Sequence, residues 1–532
     1  MQAMGTLWWN GTFFTMVHEG DQVEAVFTED GKIVAIGTAE ELRQRYSTRI
    51  NQEMNCDGAY VYPGFVDSHL HMIGHGEKLL RLDLSTVMNA EDMREKLMER
   101  VALTEEGDWV TAEGWNENNF PDQKIFHRNE LDEIAPNHPM ILTRVCRHAI
   151  LVNSKALQLA GISKDTTDPP GGRIVRDELG EPTGYLLDTA QELVKRVAPS
   201  VSAAYLERAL AAAVDDMVAK GLVGGHTEDL GYYLGFNQTF ATFQRVIDGN
   251  TRRFRAHLLV HHEVIDDMIK AGYCKGPVGE WLEFGAMKIF ADGAFGGRTA
   301  LLSEPYCDAP TTSGVAIHTQ EQLTNLIKKA RQYKLPVAIH TIGDEALRMA
   351  ITSIEAHPVT EGRDRLIHTQ VTPPSLVERM KKLKVILDIQ PAFVPADFPW
   401  VEERLGNERL SYSFAWKTLL RSGMALAGGS DAPIEEVDPL YGIYAAVARK
   451  KPTDQHEGYL PEEKLTRYEA LQLYTTGSAY AIEREHERGN IRPGYVADFT
   501  MLNRNLFTCR EEELLTTRVE KTVIGEAIVF QA

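Results

Sequence analysis

The sequence lacks several features that would place a protein outside the cytoplasm. No stretch approaches the roughly 18 consecutive apolar residues that a membrane-spanning helix needs. The first twenty residues have neither a basic region nor a long apolar core, so we expect no signal peptide. The five cysteines are scattered and form no C-x-x-C pair, which suits a reducing compartment better than a disulfide framework. We therefore predict a cytoplasmic protein.

The chain is also short of positive charge and of one familiar catalytic motif. Lysine and arginine number 56 against 76 aspartate and glutamate residues, which gives a formal net charge of −20. This excess of acid argues against nucleic acid or an anionic membrane as a partner, and we expect a small-molecule substrate instead. No G-x-S-x-G segment is present, so the sequence offers no serine nucleophile elbow.

Apolar, β-branched segments recur along the chain, with helical segments between most of them. Helical periodicity is clear at residues 205–221 and 321–334, each directly before such a segment. Buried strands that alternate with helices indicate a parallel sheet, and eight of them indicate a closed (β/α)8 TIM-like barrel of the α/β class. The predicted strands lie near residue 65 and within residues 221–229, 253–262, 283–293, 335–344, 365–370, 384–393 and 424–433.

The remaining chain predicts two additions to a barrel at residues 63–487. Strand and turn patterns at residues 1–62 and 488–532 favour a small β-sandwich built from both termini. Between the first and second barrel strands, residues 73–205 provide far more chain than one helix needs. They include strand-like pieces and a Pro/Gly-rich loop. We interpret this stretch as a cap inserted in the first βα loop.

Ligand-type side chains stand at the ends of five predicted strands. The C-terminal ends of barrel strands form the active site in this architecture. The side chains are His69 and His71 on the first strand, Lys288 on the fourth, His340 on the fifth, His368 on the sixth and Asp431 on the eighth. A gap of one residue puts both imidazoles of the first strand on one face. Imidazole nitrogens and a carboxylate from separate strands predict a site for one or two divalent ions.

Several motifs resemble those of a known family over almost the whole chain. They are "PGFVDSHLH", "KIFADGAFGGRTALLSEPY", "AIHTIGDEAL", "LIHTQ", "AGGSDAPIEEVDP" and "GNIRPGYVADFTML". The resemblance is to the amidohydrolase superfamily and, within it, to the amidohydrolase 3 (YtcJ-like) branch of metal-dependent hydrolases. It implies a (β/α)8 barrel flanked by a sandwich of both termini. It also implies His69, His71, His340, His368 and Asp431 as metal ligands, with Lys288 carboxylated to a carbamate that bridges two ions.

These residues predict a hydrolase that cleaves an amide, or a related C–N bond other than a peptide bond, in a small molecule. One or two ions, expected to be zinc, would activate water, and Asp431 would shuttle its proton to the leaving amine. Hydrolytic deamination of a cyclic substrate is the alternative. Deaminases of the superfamily tend to carry a glutamate three residues after the fifth-strand histidine, where this chain has Gly343 followed by Asp344. A barrel that has lost its chemistry is a third hypothesis, which the full ligand set disfavours.

Three further residues are candidates for substrate contact. Trp115 and Arg298 match family positions near the site, although Trp115 could equally belong to the core of the cap. An arginine is rarely buried without a function, which favours a substrate-facing Arg298. His148 is a candidate for the same role or for a capping role. The chain departs from the family pattern at Cys146, Arg147 and Asp188, all within the insertion. A homodimer is a common arrangement for such barrels, and the sequence leaves the oligomeric state open.

Overall fold

Eight parallel strands form a nearly closed barrel in the computed structural model, which describes residues 5–145, 148–198 and 202–532. Every strand pairs with the next in chain order, and nearly all of their residues are buried. Continuous apolar runs produce this pattern, because a parallel strand in a barrel is covered on both faces. The strands are Phe65–Leu70, Leu222–Thr227, Arg255–His261, Leu282–Phe290, Val337–Thr341, Asp364–His368, Val385–Ile389 and Leu426–Gly428. The predicted barrel and the positions of its eight strands are confirmed.

The barrel closes between the first strand and the loop that follows the eighth. Two backbone hydrogen bonds join them: the N–H of Asp431 donates to the carbonyl oxygen of His69, and the N–H of His71 donates to that of Ala432, each at 2.8 Å. Three of these four residues belong to the set of candidate ligands. Closure of the barrel and assembly of the candidate site therefore depend on the same contact.

A buried carboxylate and a glycine support this closure. The Asp67 carboxylate accepts the N–H of His69 and the N–H of Ser430, each at 3.0 Å. A Cβ added at Gly429 would lie 2.5 Å from the His69 nitrogen and 2.7 Å from the Asp67 carboxylate. Only glycine lets the loop approach the first strand this closely. A Cβ added at the preceding Gly428 would instead lie 2.7 Å from the Cβ of Leu473.

Helices follow most barrel strands and cover the outside of the barrel. The helix at Gln320–Gln332 is representative: Thr319 caps its N-terminus in a capping box with Gln322, and its buried face is apolar. The α-helices of the chain are Ala39–Arg45, Met72–Leu80, Ala90–Ala102, Arg128–Ile134, Ser154–Leu159, Gln191–Lys195, Ala203–Ala219, Gly235–Val246, Ile265–Lys270, Gln320–Gln332, Asp344–Ala356, Pro374–Met380, Phe393–Asp397, Trp400–Leu410, Trp416–Arg421, Pro439–Ala448, Arg467–Leu473 and Thr476–Ala481.

The two termini form a sandwich of two sheets, as the sequence predicted. The first sheet contains Gly5–Trp9, Ala25–Glu29, Lys32–Gly37 and Ile50–Asn55. The second contains Thr12–Phe14, Gln22–Val23, Tyr60–Pro63, Phe499–Leu502, Val519–Ile524 and Ala527–Gln531. Their shared core joins both ends of the chain: Trp8 packs edge-to-face on Phe499 with ring centroids 5.8 Å apart. The Thr500 hydroxyl then links the sandwich to the barrel by accepting the N–H of Phe65 at 3.1 Å.

The chain divides into two compact units, of which the second is Gly76–Ala209 and the first is the rest. The sequence predicted an insertion at about residues 73–205. The second unit has its own buried cores and a six-stranded sheet. Its strands are Leu82–Asp83, Val110–Trp115, Met140–Arg144, Ala149–Val152, Gly172–Arg176 and Pro182–Asp188. Cys146 and Arg147 lie outside the described residues, and the domain boundaries drawn from the sequence stay predictions.

Within the described residues, no helix combines the length and apolarity needed to cross a bilayer.

The close approach at Gly429 gives a first prediction. A methyl group there must displace the backbone of His69 or the Asp67 carboxylate, so Gly429→Ala should lower the free energy of unfolding by about 1–3 kcal/mol, as overpacking typically does. Denaturant unfolding measures this change. Gly297→Ala is the matched control, because the nearest atom to an added Cβ there is 3.5 Å away, and it should change stability by less than about 0.5 kcal/mol. Equal stabilities for the two variants would contradict this account of closure.

Candidate metal centre

Three ligand-type atoms meet where the barrel closes. The Nε2 atoms of His69 and His71 lie 3.5 and 3.4 Å from Oδ1 of Asp431. The three ligand atoms that these residues offer all lie within 4.8 Å of one another, a spacing that one metal ion can span. The period of two along the first strand sends both imidazoles to one face. The backbone bonds of the closure bring Asp431 to the same place.

The other three predicted side chains extend this cluster. Nζ of Lys288 lies 3.1 Å from Nε2 of His69. The ring centroid of His368 is 5.6 Å from that of His69 and 4.4 Å from that of His340. The structure therefore brings together all six side chains that the sequence singled out at the ends of barrel strands.

Hydrogen bonds to carbonyl oxygens orient three of the four imidazoles. The pairs are His71 Nδ1 with the backbone oxygen of Glu228 at 2.6 Å, His368 Nδ1 with Oε1 of Gln390 at 2.6 Å, and His340 Nε2 with the backbone oxygen of Gly293 at 3.1 Å. A carbonyl oxygen can only accept, so the ring nitrogen facing it carries the proton. The opposite nitrogen is then left as the electron-pair donor for a metal, an arrangement common around metal-ligating histidines.

Burial keeps most of these imidazoles neutral, which is the form that binds metals. It lowers the pKa of His69 and His340 well below the usual value and that of His368 to about 4. Burial also lowers the pKa of His71, but its hydrogen bond with Asp431 and the negative charges nearby outweigh this effect and raise the pKa to about 9. A metal ion would therefore compete with a proton for this one nitrogen.

Lys288 is a fully buried amine at the centre of the cluster. Within the described part of the chain, no carboxylate oxygen lies within 4.0 Å of its Nζ, which lies over the ring of Phe290, 4.6 Å from the centroid. Burial lowers the pKa of Lys288 to about 8, so the neutral amine is accessible near neutral pH. A permanent ammonium at this place would repel cations, whereas a neutral amine can be modified or can coordinate.

Two of the six residues have strained backbones. His368 has a φ of +72° and Asp431 a φ of +58°, in the left-handed region that side chains other than glycine rarely adopt. Each such residue costs on the order of 1–3 kcal/mol, and such costs concentrate at functional sites. The surrounding hydrogen bonds hold both residues in these conformations.

A cavity of about 400 Å³ opens onto the cluster, lined by five of the six side chains and by aromatic residues. Its volume suits a small molecule. A larger cleft of about 720 Å³ lies at the opposite ends of the sixth and seventh strands, next to Arg363 and Val385. It contains none of the candidate ligands, so the smaller cavity is the one associated with metal chemistry.

The three predicted substrate residues lie in different settings. Trp115 is in a core of the second unit, 1% exposed, and its indole N–H donates to the Leu142 carbonyl oxygen at 3.0 Å. His148, in the same unit, has a largely exposed side chain 3.3 Å from the carboxylate of Asp188. Substrate contact by either residue stays a prediction.

Arg298 belongs to the first unit. The expectation that it is a buried arginine, on which its predicted contact with substrate was based, is wrong. Its side chain is 39% exposed, so it is not a buried arginine. It is also not unpaired, because Nη2 donates to the Asp308 carboxylate at 2.6 Å. Substrate contact by Arg298 stays a prediction that no longer has this argument behind it.

Sequence reasoning missed the residues that support the ligands. Gln390 holds His368, and its own amide donates to the Asp388 carbonyl oxygen at 3.3 Å, which turns Oε1 towards the imidazole. Phe393 stacks on His368 with ring centroids 5.8 Å apart. Asp67 carries a usable signal, because it lies two residues before His69 on the same strand face. Gln390 and Phe393 follow the seventh strand, for which the sequence predicted no ligand.

A buried ion pair lies inside the barrel among the strands that carry the ligands. Nε of Arg365 donates to the Asp388 carboxylate at 2.7 Å, and its Nη2 donates to the carbonyl oxygen of Ser68, next to His69. His226 and His257 are also buried, with ring centroids 5.1 Å apart. The interior is thus unusually polar for a barrel of this kind.

A (β/α)8 barrel whose strand ends collect four histidines, a buried lysine and an aspartate is the architecture of a metal-dependent hydrolase. Comparison with known proteins gives the particular family. The model of the Amidohydrolase family matches residues 52–530, and the chain belongs to this family. It is accordingly a hydrolase that acts on carbon–nitrogen bonds. A model of an imidazolonepropionase-like composite domain of bacteria matches residues 25–46 in the terminal sandwich.

Individual relatives agree with this assignment. The chain is 48% identical to the putative amidohydrolase YtcJ of Bacillus subtilis, over 99% of this chain and 100% of that protein. It is 27% identical to the N-substituted formamide deformylase of Arthrobacter pascens, over 96% of this chain and 95% of that protein. The crystal structure of an uncharacterized metal-dependent hydrolase from Pyrococcus furiosus superposes with a TM-score of 0.79 at 26% identity, covering 95% of this chain and 100% of that one.

The hydrogen bond from His368 to Gln390 gives a second prediction. Gln390→Met removes the acceptor while keeping the volume, so the imidazole loses its fixed orientation. Loss of such an outer partner typically weakens metal binding about 10- to 100-fold. Competition against a chelator of known affinity measures this change. Gln390→Glu keeps an accepting oxygen and should retain most of the affinity, and equal losses in both variants would show that the hydrogen bond is not the cause.

Proposed function

We propose that the protein hydrolyses an amide, or a related non-peptide C–N bond, of a small molecule with the help of one or two divalent ions. The observation that carries this proposal is the convergence of His69, His71 and Asp431 at one end of an apolar cavity. A substrate held in that cavity would present its scissile bond directly to the metal-binding atoms.

The donor set fits a divalent metal. Imidazole nitrogens and one carboxylate suit zinc in particular. Nδ1 of His69 is buried and has no hydrogen-bond partner among the described residues, while Nε2 faces Lys288 and Asp431. An ion held by these residues would lower the pKa of a bound water from about 16 towards about 7, which makes hydroxide available near neutral pH.

Asp431 is the residue that we assign to proton transfer. Burial raises the pKa of Asp431, but the hydrogen bond with His71 and the neighbouring positive charges lower it below the usual range, so the carboxylate is ionised. It lines the cavity beside both first-strand imidazoles. From there it can accept a proton from the attacking water and pass it to the nitrogen that leaves, as a general base and then a general acid.

Lys288 is proposed to carry a carbamate that bridges two ions. Carbon dioxide reacts with the neutral form of an amine, giving a carbamate anion and a released proton. The low pKa of Lys288 and the absence of a carboxylate within 4.0 Å, among the described residues, make the neutral amine available. The resulting anion would replace a cation-repelling group by a cation-binding one.

Hydrolytic deamination is the less favoured alternative, and a contact at Gly343 argues against it. A Cβ at this position would lie 1.9 Å from the Leu301 backbone oxygen, so no glutamate shuttle fits there. The neighbouring Asp344 carboxylate accepts the N–H of Ser303 at 3.0 Å and also its hydroxyl proton. It is used in loop structure and does not line the cavity.

The relative from Arthrobacter pascens is named an N-substituted formamide deformylase, and its name describes cleavage of a C–N bond. We take N-formyl and N-acyl amines as the first substrates to test. A cytoplasmic location, a homodimer and the lack of nucleic-acid or membrane partners remain part of the proposal.

The carbamate gives a third prediction. Purified protein should hold close to two divalent ions per chain, and Lys288→Ala should hold fewer and lose activity, because the bridging anion is gone. Elemental analysis against protein concentration measures the occupancy. Added acetate or propionate should restore part of the metal occupancy and part of the activity of Lys288→Ala, because it supplies a carboxylate in the vacated space.

The matched control for this variant is Lys328→Ala, on an exposed helix face, which should keep both metal and activity. Metal reconstitution of chelated wild type in buffer freed of carbon dioxide is an independent readout and should be impaired. Full metal content and activity in Lys288→Ala would rule out the bridging role of Lys288.

Proton transfer gives a fourth prediction. Asp431→Asn keeps the size and one oxygen ligand but removes most of the basicity, so kcat should fall about 100- to 10,000-fold at matched metal occupancy. The melting temperature should change little, since the backbone bonds of the closure remain.

Asp344→Asn is the comparison variant, because Asp344 would be the shuttle of a deaminase and has no role in the proposed reaction. Its kcat should stay within about threefold of wild type at the same metal content. Near wild-type turnover in Asp431→Asn, or a larger loss in Asp344→Asn, would move the proton transfer to another residue.

A further inference from the structure

The cavity has an acidic wall in addition to its metal-binding end. Five aromatic side chains other than histidine line it: Tyr232, Phe290, Phe295, Phe393 and Trp400. Asp397 and Glu435 line it as well, and within the described residues its lining contains no arginine or lysine. A substrate in this cavity would therefore meet cations only at the metal end, whereas the acidic wall would present it with carboxylates.

Asp397 is the less satisfied of the two carboxylates. It ends the helix Phe393–Asp397 that follows the seventh barrel strand and is half-buried. Its one hydrogen bond in the described part of the chain is a long one, 3.5 Å from the amide of Gln370. No lysine, arginine or histidine nitrogen of that part lies within 4.0 Å of it.

Arg404, the arginine whose charge acts on Asp397, is turned to other partners. Arg404 donates to the carbonyl oxygen of Phe295, lies 3.9 Å from the Asp308 carboxylate, and stacks over Trp400 at 4.0 Å. Burial and the charge of Glu435 raise the pKa of Asp397 to about 7. A carboxylate withdrawn from water with so little compensation is costly, and an N–H donor from a ligand would remove most of that cost.

We infer that Asp397 binds a cationic amine, or a similar N–H donor, carried by the substrate on a part separate from the scissile bond. The substrate class is then an amide with an apolar or aromatic body and a positively charged group. A free carboxylate on that part of the substrate would be repelled by Asp397 and Glu435. This inference rests on the proposed function for the reaction and adds the chemistry of the group that is recognised.

Three probes with one scaffold test the inference: N-formyl-2-phenylethylamine, its 4-aminomethyl derivative and its 4-carboxy derivative. Metal-loaded wild type at pH 8, where Asp397 is mostly ionised, should show the highest kcat/KM for the cationic probe and the lowest for the anionic one. A charge-assisted hydrogen bond corresponds to a cationic-to-neutral ratio of about tenfold or more.

Asp397→Asn removes the charge and should reduce the cationic-to-neutral ratio to about one. Glu361→Gln is the matched control, since it removes one negative charge from an exposed position before the sixth strand, away from the cavity, and should keep the wild-type ratio. A wild-type ratio of one or less, or an unchanged ratio in Asp397→Asn, would overturn the inference.

A measurement of probe binding tests the role of Asp397 separately from the proposed reaction. If no probe is hydrolysed, the proposed function fails for N-formyl amines, and calorimetry on the same metal-loaded protein decides the inference. The cationic probe should then bind about tenfold more tightly than the neutral one to wild type and equally tightly to Asp397→Asn. Equal binding of both probes to wild type would overturn the inference.

Discussion

The contact between the first barrel strand and the loop after the eighth is the constraint on which the rest of the site depends. A parallel sheet of eight strands has two edges, and an edge leaves backbone groups unpaired unless the sheet closes. Here two backbone hydrogen bonds, rather than a ladder of strand pairs, make the closure. Three of the four residues in these bonds are His69, His71 and Asp431. The hydrogen bonds that complete the barrel therefore also fix the spacing of the candidate ligand atoms.

Charge is distributed unevenly around this closure. Desolvation keeps His69, His340 and His368 neutral, and Asp431 remains an anion. The pKa values of about 9 for His71 and about 8 for Lys288 leave these two groups mostly protonated near pH 7, so bound cations would have to replace their protons. With ions bound, the cluster would become the cationic end of a cavity that the carboxylates of Asp397 and Glu435 also line. The positive charge at one end and the negative charge at the other would orient a small molecule bound between them. The aromatic lining would exclude water from both ends.

The sequence predicted the barrel and all six clustered side chains because those depend on local patterns. Continuous apolar runs mark buried parallel strands, and a ligand-type residue at the end of each run is carried to the same rim. Asp397, Gln390 and the pairing of Arg298 with Asp308 were not predictable in this way. They depend on loop and helix conformations after the strands, and the positive φ angles of His368 and Asp431 have no composition signal at all, since neither is glycine.

The inserted unit and the terminal sandwich have a consequence for the order of folding. The bond from Ser430 to Asp67 spans 363 residues, and the bond from Phe65 to Thr500 spans 435. During synthesis the first strand can pair with the second, Leu222–Thr227, but its contacts with Ser430 and Thr500 must wait for almost the whole chain. The unit at Gly76–Ala209 has its own cores and can collapse much earlier, as domains made at the ribosome generally do. Assembly of the complete candidate site is consequently a late event, because it requires Asp431, and it cannot help the earlier strands to fold.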